Sequence, residues 1–191
     1  LMENKTDDQV ISIFKETKAL LTGHFILRSG QRSGHFFQCA QVCQYMDKVS
    51  TLASLLVKQL DCPTPNTIVA PAMGGLVLGQ EVARQLNCRF LFLEKVEDKL
   101  ELRRNFSLSN KDNVLLVEDV VTKGGRVTEA LSILNGTGCT ICAVTSLVDR
   151  STHELDFGVS FQPLLKLHFP TYDPSEIPDE LKLIEPIKPG S

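Results

Sequence analysis

A chain of 191 residues in which 42% are hydrophobic and 23% charged can bury a substantial core, which excludes disorder and a low-complexity fibre. With 20 Lys plus Arg against 23 Asp plus Glu, the formal net charge is −3 with histidine neutral. That balance removes any general electrostatic pull toward nucleic acid or an anionic membrane, so a phosphate site has to be local.

No apolar stretch approaches the roughly 18 residues that a bilayer-spanning helix needs. The opening Met2-Glu3-Asn4-Lys5-Thr6-Asp7-Asp8 lacks the basic and apolar regions of a signal peptide, so a cytoplasmic location is expected. Leu1 ahead of Met2 reads as an expression remnant and is set aside. Thr6-Asp7-Asp8-Gln9 fits a capping box and predicts a helix, with Val10, Ile13, Phe14, Thr17 and Leu21 as its apolar stripe and Gly23 as its break. Two short extended pieces follow, His24 to Arg28 and His35 to Gln38, linked by a turn or loop over residues 29–34.

From residue 47 onward strand and helix alternate. Val49, Leu52, Ala53, Leu56, Val57 and Leu60 make a helical face, Thr67 to Ala70 a strand, and Gly74 to Leu86 a helix ended by Asn87. Further strands are predicted at Phe90 to Leu93, Val114 to Val117 and Ile141 to Val148. Between the last two, Val127, Ala130, Leu131 and Leu134 form a helix closed by Gly136. These strands are apolar throughout rather than alternating, so both faces should be covered. The expected fold class is α/β, a doubly wound, mainly parallel sheet flanked by helices. Six of the nine prolines (Pro163, Pro170, Pro174, Pro178, Pro186 and Pro189) crowd the end of the chain and predict an extended, partly packed tail without a long helix. The six cysteines sit in a chain too long to need disulfide staples, and reduced thiols are expected. Cys139-x-x-Cys142 has no second cysteine pair to complete a zinc site, and the segment after it reads as a buried strand.

In an open α/β sheet, ligands sit outside the carboxyl ends of the strands. The most informative such place is Val117-Glu118-Asp119-Val120-Val121-Thr122-Lys123-Gly124-Gly125, where two carboxylates end a buried strand and Thr, Lys and two glycines lead into a helix. Backbone amides at that turn, the helix dipole, the hydroxyl and the lysine charge would hold a phosphate. The carboxylates suit sugar hydroxyls, a developing cation or magnesium. A phosphosugar fits both halves. The pattern is neither a Walker A loop nor a G-x-G-x-x-G fingerprint; the bland alternative is a polar strand end followed by a glycine turn.

This segment resembles the phosphoribosyl pyrophosphate (PRPP) signature of type I phosphoribosyltransferases, in which acid-acid-x-x-Thr-Thr-Gly follows a strand; Lys123 stands where the second Thr is usual. Gly23-His24-Phe25-Ile26-Leu27-Arg28-Ser29-Gly30 with Phe36-Phe37-Gln38-Cys39-Ala40 is similar to the N-terminal hood of the orotate phosphoribosyltransferase family. So are residues 71–75, 102–104, 147–150 and 187–190. The resemblance implies one phosphoribosyltransferase domain over 1–191, with a hood over about 1–45 joined by the C-terminal tail and a core over about 46–165. It implies a PRPP site at Glu118, Asp119, Val120, Val121, Thr122, Lys123, Gly124, Gly125 and Arg126, with Arg28 near the ring or the phosphates. Phe36, Phe37, Thr122 and Arg150 would meet orotate, the last because a guanidinium grips a carboxylate through two parallel hydrogen bonds.

Eight of the eleven residues from Glu94 to Arg104 are charged, which reads as a mobile, exposed loop. In the family such a loop carries cations to the leaving pyrophosphate, often across a dimer interface. Lys95, Lys99 and Arg103 are the corresponding candidates, with Lys95, Lys99 and Asp119 taken as catalytic. Three further departures stand out: Asn105 for a usual glycine, Gly34 for a usual aspartate, and Gly74 where many bacterial relatives have a lysine. The implied reaction is magnesium-dependent transfer of ribose 5-phosphate from PRPP to orotate in de novo pyrimidine (UMP) biosynthesis, by a homodimer. Magnesium would be carried by PRPP with no direct protein ligand, and neither nucleic acid nor membrane is an expected partner. Two alternatives stay open: a phosphoribosyltransferase for another base, and a PRPP-binding regulatory protein without turnover.

Overall fold

The computed structural model describes residues 5–189, so Leu1 to Asn4, Gly190 and Ser191 and the expectations placed on them lie outside the described residues. The chain forms two compact units, the first running to Gln44 and resuming at His168, the second covering Tyr45–Leu167.

In the first unit, helix α1 (Lys5–Glu16) buries Val10, Ile13 and Phe14, the i, i+3, i+4 stripe expected of it. The stripe does not reach Leu21. Lys18 turns left-handed at φ 58, and strand β1 (Leu20–Ile26) takes Leu20 and Leu21 into antiparallel pairing with Phe37 and Phe36 of β2 (Arg32–Phe37). Leu21 keeps the helical spacing, but Lys18 has already left the helix. The register slips between Thr22 and Phe25, so Gly23 lies at a bulge inside the strand rather than ending an element. Helix α1 already includes Lys5, placing Thr6 inside it rather than at its cap.

The second unit is a six-stranded sheet flanked by helices. Helix α2 (Met46–Gln59) leads to β3 (Thr67–Pro71), α3 (Gly75–Leu86), β4 (Arg89–Val96), β5 (Lys99–Leu102), β6 (Asn113–Val121), α4 (Gly125–Asn135), β7 (Thr140–Asp149) and β8 (Phe161–Lys166). The spatial order is β5-β4-β3-β6-β7-β8, with every pairing parallel except β4 with β5. From β3 the chain steps outward to β4, then returns to lay β6 on the other side of β3. That reversal leaves a crevice at the carboxyl ends of β3 and β6, the place where a doubly wound sheet binds ligands. Pro163 is tolerated in β8 because β8 is an edge strand.

Helix α3 approaches β3 closely because Gly79 has no side chain: a Cβ there would lie 2.7 Å from the Ala70 Cβ and 2.9 Å from Phe90 Cε2. Val69, Leu93, Val114, Leu116, Val127, Ala130 and Leu134 fill the core on the α4 side. Cys142 falls where the β6–β7 register slips, and its thiol donates to the Val114 carbonyl at 3.3 Å. Burial, followed by the neighbouring Cys62, pushes that thiol up to about 12.

The tail returns to the first unit as β9 (Thr171–Tyr172), which pairs with Arg32 and Ser33, and a single turn of helix, α5 (Asp179–Lys182). No helix among the described residues is long and apolar enough to cross a membrane.

Candidate active site

Strand β6 does not stop before the carboxylates. Pairing with β7, including Glu118 with Ser146 and Val121 with Asp149, carries it through Glu118 and Asp119 to Val121. The acids are therefore set into rigid backbone. The Asp119 amide donates to Glu118 Oε1 at 3.0 Å and the Val120 amide to Asp119 Oδ1 at 2.8 Å, so each carboxylate is held against its own strand.

Glu118 is 6% exposed, and burial, then the negative charge of Asp119, pushes its carboxyl up to about 8. The folded chain therefore keeps a proton there that the unfolded chain releases near 4.5. Glu118 thus favours folding most below its unfolded value, and that contribution is lost as pH rises through about 8. Urea midpoints at about pH 5.5 and about pH 9 check this. The wild-type midpoint should fall more between the two than that of Glu118→Gln, and equal falls would remove Glu118 as the source.

The turn after β6 exposes Thr122 and Lys123 and passes through Gly124 at φ 78, a left-handed conformation that glycine adopts without strain. Helix α4 follows at once. Its first turn holds no acidic residue, and its leading amides have no intrahelical acceptor. Residues 118 and 120–127 line a cavity of about 80 Å³ over this helix start, room for a group of a few heavy atoms and no more. Helix dipole, free amides and the Lys123 charge all favour an anion there. Arg126, in the same first turn, acts on Glu118 in the opposite sense to Asp119, its positive charge favouring the ionised carboxyl.

The loop after β3 completes the crevice. A Cβ on Gly74 would stand 2.6 Å from Asp119 Oδ1, and one on Gly75 2.8 Å from the Val117 carbonyl. The absence of a side chain at position 74 is what lets Asp119 occupy its present place; a lysine there would require the carboxylate to move.

Arg150 follows β7, and its amide donates to the Val121 carbonyl at 2.8 Å, which ties it to the strand carrying the acids. Burial pulls its guanidinium below the ordinary value. Asp149 is 7% exposed and accepts from the Ser151 amide at 2.9 Å.

Residues 94–104 are not the loose loop that their charge suggested. Strands β4 and β5 form a hairpin with Val96 opposite Lys99, closed by Glu97 and Asp98 at φ 46 and 70. Two consecutive positive φ values make the two-residue turn whose twist matches the flanking strands. The legible signal was Lys99-Leu100-Glu101-Leu102, a period of two that sends Leu100 into the core at 4% exposure. Glu129 of α4, unremarked in the sequence, accepts the Leu100 amide at 2.7 Å and so covers an open position of this edge strand. Lys95, Lys99 and Arg103 are exposed, and Lys95 contacts Asp98 at 2.6 Å. Arg104 grips Glu94 at 2.7 and 3.0 Å. Asn105 stands at φ 56, a left-handed position where glycine is free and asparagine the tolerated substitute, which accounts for that departure from the family pattern.

In the first unit, Arg28, Phe36 and Phe37 come together around a cavity of about 490 Å³, joined by Gln38 and by Lys188, two residues of the family-like segments to which the sequence assigns no site role. Phe37 turns inward, 6% exposed and 5.0 Å from the Phe14 ring, while Phe36 stays half-buried, 5.7 Å from Phe25. Gly34 faces Leu181, 3.6 Å from where its Cβ would be.

Residues 41–159 match the phosphoribosyl transferase domain family. An orotate phosphoribosyltransferase of Novosphingobium aromaticivorans is 42% identical over 188 residues, covering 97% of each chain. The chain belongs to the orotate phosphoribosyltransferase family. Among solved structures, orotate phosphoribosyltransferase of Aeropyrum pernix superposes with a TM-score of 0.70 at 21% identity, over 83% of this chain and 93% of that one. Adenine phosphoribosyltransferase of Thermoanaerobacter pseudethanolicus gives 0.60 at 19% identity, over 70% and 88%. The fold is thus common to enzymes named for different bases, and membership of the orotate family rests on the full-length sequence likeness.

Proposed function

We propose that the chain transfers ribose 5-phosphate from PRPP to N1 of orotate, releasing pyrophosphate and giving orotidine 5′-monophosphate. The observation that carries this reading is the continuous run of strand, acid pair, glycine turn and helix start over residues 117–126. Two carboxyl side chains and a turn suited to an anion follow one another along that run, which supports the reading. In the proposal, Val120 to Arg126 hold the 5-phosphate through first-turn amides, Thr122 and the Lys123 charge. Glu118 and Asp119 take the ribose hydroxyls, and the Asp119 carboxylate faces the positive charge that develops on the ring as pyrophosphate leaves. Lys95, Lys99 and Arg103 serve the departing diphosphate, Arg150 and Thr122 the orotate, and Phe36 and Phe37 the flat ring, with Arg28 beside it.

Orotate attacks through its own deprotonated ring nitrogen, so positioning and electrostatics supply most of the rate. No cluster of three or more His, Cys, Asp or Glu fit to hold a metal occurs among the described residues. The two oxygen-bearing acids suit a hard cation only if the donor's own phosphates supply most of its ligands. Magnesium carried in that way would supply charge neutralisation at the diphosphate. The two units are proposed to act as hood and core of one domain, in a cytoplasmic homodimer whose hairpins reach neighbouring sites.

Incubation with PRPP and magnesium against orotate, uracil and adenine in turn, following base absorbance and pyrophosphate, tests the proposal. Consumption with orotate alone is expected. Turnover with another base would reassign the acceptor, and binding of PRPP without turnover would leave a regulatory protein.

A further inference from the structure

The tail is tied to the first unit through a single bridge residue, Ile187. The Ile187 amide donates to the His24 carbonyl at 2.8 Å, and the Ile26 amide donates to the Ile187 carbonyl at 2.9 Å. These bonds make a parallel bridge between Phe25 and Ile187. The next residue, Lys188, precedes Pro189, whose ring disfavours helical backbone at the lysine. Lys188 is thereby delivered to the rim of the cavity that Arg28, Phe36 and Gln38 line from β1, β2 and the residues just after them.

The charge around that cavity differs from the charge of the chain. Its eight lining residues include two cations, Arg28 and Lys188, and no carboxylate, in a protein whose formal net charge is −3. Both cations are exposed at the rim, while the half-buried Phe36 supplies an apolar wall. Arg32, which the two-residue strand period puts on the same face of β2 as Phe36, buries Nε and Nη1 without a partner. The other described lysine of the tail behaves as an ordinary surface residue: Lys182 pairs with Asp179 at 2.8 Å on its own turn of helix. A merely solvated lysine needs neither a bridged residue beside it nor a cavity free of acids to face.

We infer that Lys188 is a substrate-contacting residue, which with Arg28 binds an anionic oxygen group at the edge of the Phe36 ring. This inference rests on the reaction proposed above, where two substrates carry such a group, the carboxylate of orotate and the phosphates of PRPP. A primary ammonium and a guanidinium on one rim hold either through charge-assisted hydrogen bonds.

Calorimetric binding of orotate, and separately of PRPP with magnesium, tests this on the wild-type chain, Lys188→Ala, Lys188→Arg and Lys182→Ala. Losing one charge-assisted bond should weaken one of the two ligands about tenfold in Lys188→Ala. Arg at 188 should restore most of the affinity, and Lys182→Ala should behave as wild type. Weaker orotate assigns the carboxylate; weaker PRPP assigns a phosphate. Unchanged affinity for both in Lys188→Ala overturns the inference while leaving the proposed reaction intact, as does a loss that Arg does not restore, which would mark a merely structural tail. A wild-type chain that binds neither ligand overturns the proposed reaction and this inference with it.

Discussion

Replacing Asp119 with asparagine is expected to lower kcat/KM for PRPP by about 10²- to 10³-fold, the range seen when a preorganised electrostatic partner of a transition state is removed. The substitution is nearly isosteric, and asparagine Oδ1 can still accept the Val120 amide that now donates to Asp119 Oδ1 at 2.8 Å. The strand, and the close fit of this side chain over Gly74, should therefore survive. What disappears is a negative charge beside the buried Glu118, so the loss belongs to charge rather than folding. A second effect follows from the same geometry. The Asp119 charge is one cause of the raised Glu118 carboxyl, so the variant should bring that value back toward 4.5. Normal PRPP turnover by Asp119→Asn would show that the donor does not sit over β6.

Lys99→Ala is expected to lower kcat about 10²-fold with KM for either substrate nearly unchanged, because an ion pair with departing pyrophosphate forms only as the bond breaks. Lys99 is exposed and directly follows the hairpin turn, so its removal opens no cavity and should leave the melting temperature where it was. Its neighbour fixes its place: Leu100 is packed in the core and its amide is held by Glu129 at 2.7 Å, so the lysine projects from an anchored strand. Lys95 differs, since its ammonium lies 2.6 Å from Asp98 and must exchange that partner before serving another. Steady-state kinetics for Lys99→Ala beside a melting curve decide the matter. Unchanged turnover takes Lys99 out of the reaction, and a fall in kcat matched by a fall in stability makes it a structural residue.

Much of the second unit was legible because its elements announce themselves locally. Val49, Leu52, Ala53 and Leu56 recur at helical spacing and are buried along α2; Asn87 ends α3 at φ 52 as a left-handed cap; and Val114 to Val117 are buried on both faces. The acid pair and glycine turn were equally readable, since an anion site of this kind lies within one contiguous stretch. The first unit was read less well. Leu20 and Leu21 continue the spacing of α1, but β1 is held by partners in β2 and by Ile187, more than 150 residues away in sequence for that last contact, and no local period reports them. The run from Glu94 to Arg104 was misread for the opposite reason: charge density masked the alternation of Leu100 and Leu102, and what fixes those residues is packing against α4.

Residue order alone determined most of the alternation of strand and helix from α2 to β7, the α/β class and the chemistry of residues 117–126, because propensity, hydrophobic period and turn residues act over a few positions. Tertiary structure decided what depends on distant neighbours. It extended β6 through the two acids, brought Gly74 under Asp119, anchored the charged hairpin through Glu129 and docked the tail that carries Lys188 beside Arg28. Each of these joins groups separated by tens of residues or more, or changes a local pattern by strand pairing. Long-range contacts become favourable only when the whole fold has closed the intervening loops, and a window of sequence does not contain them.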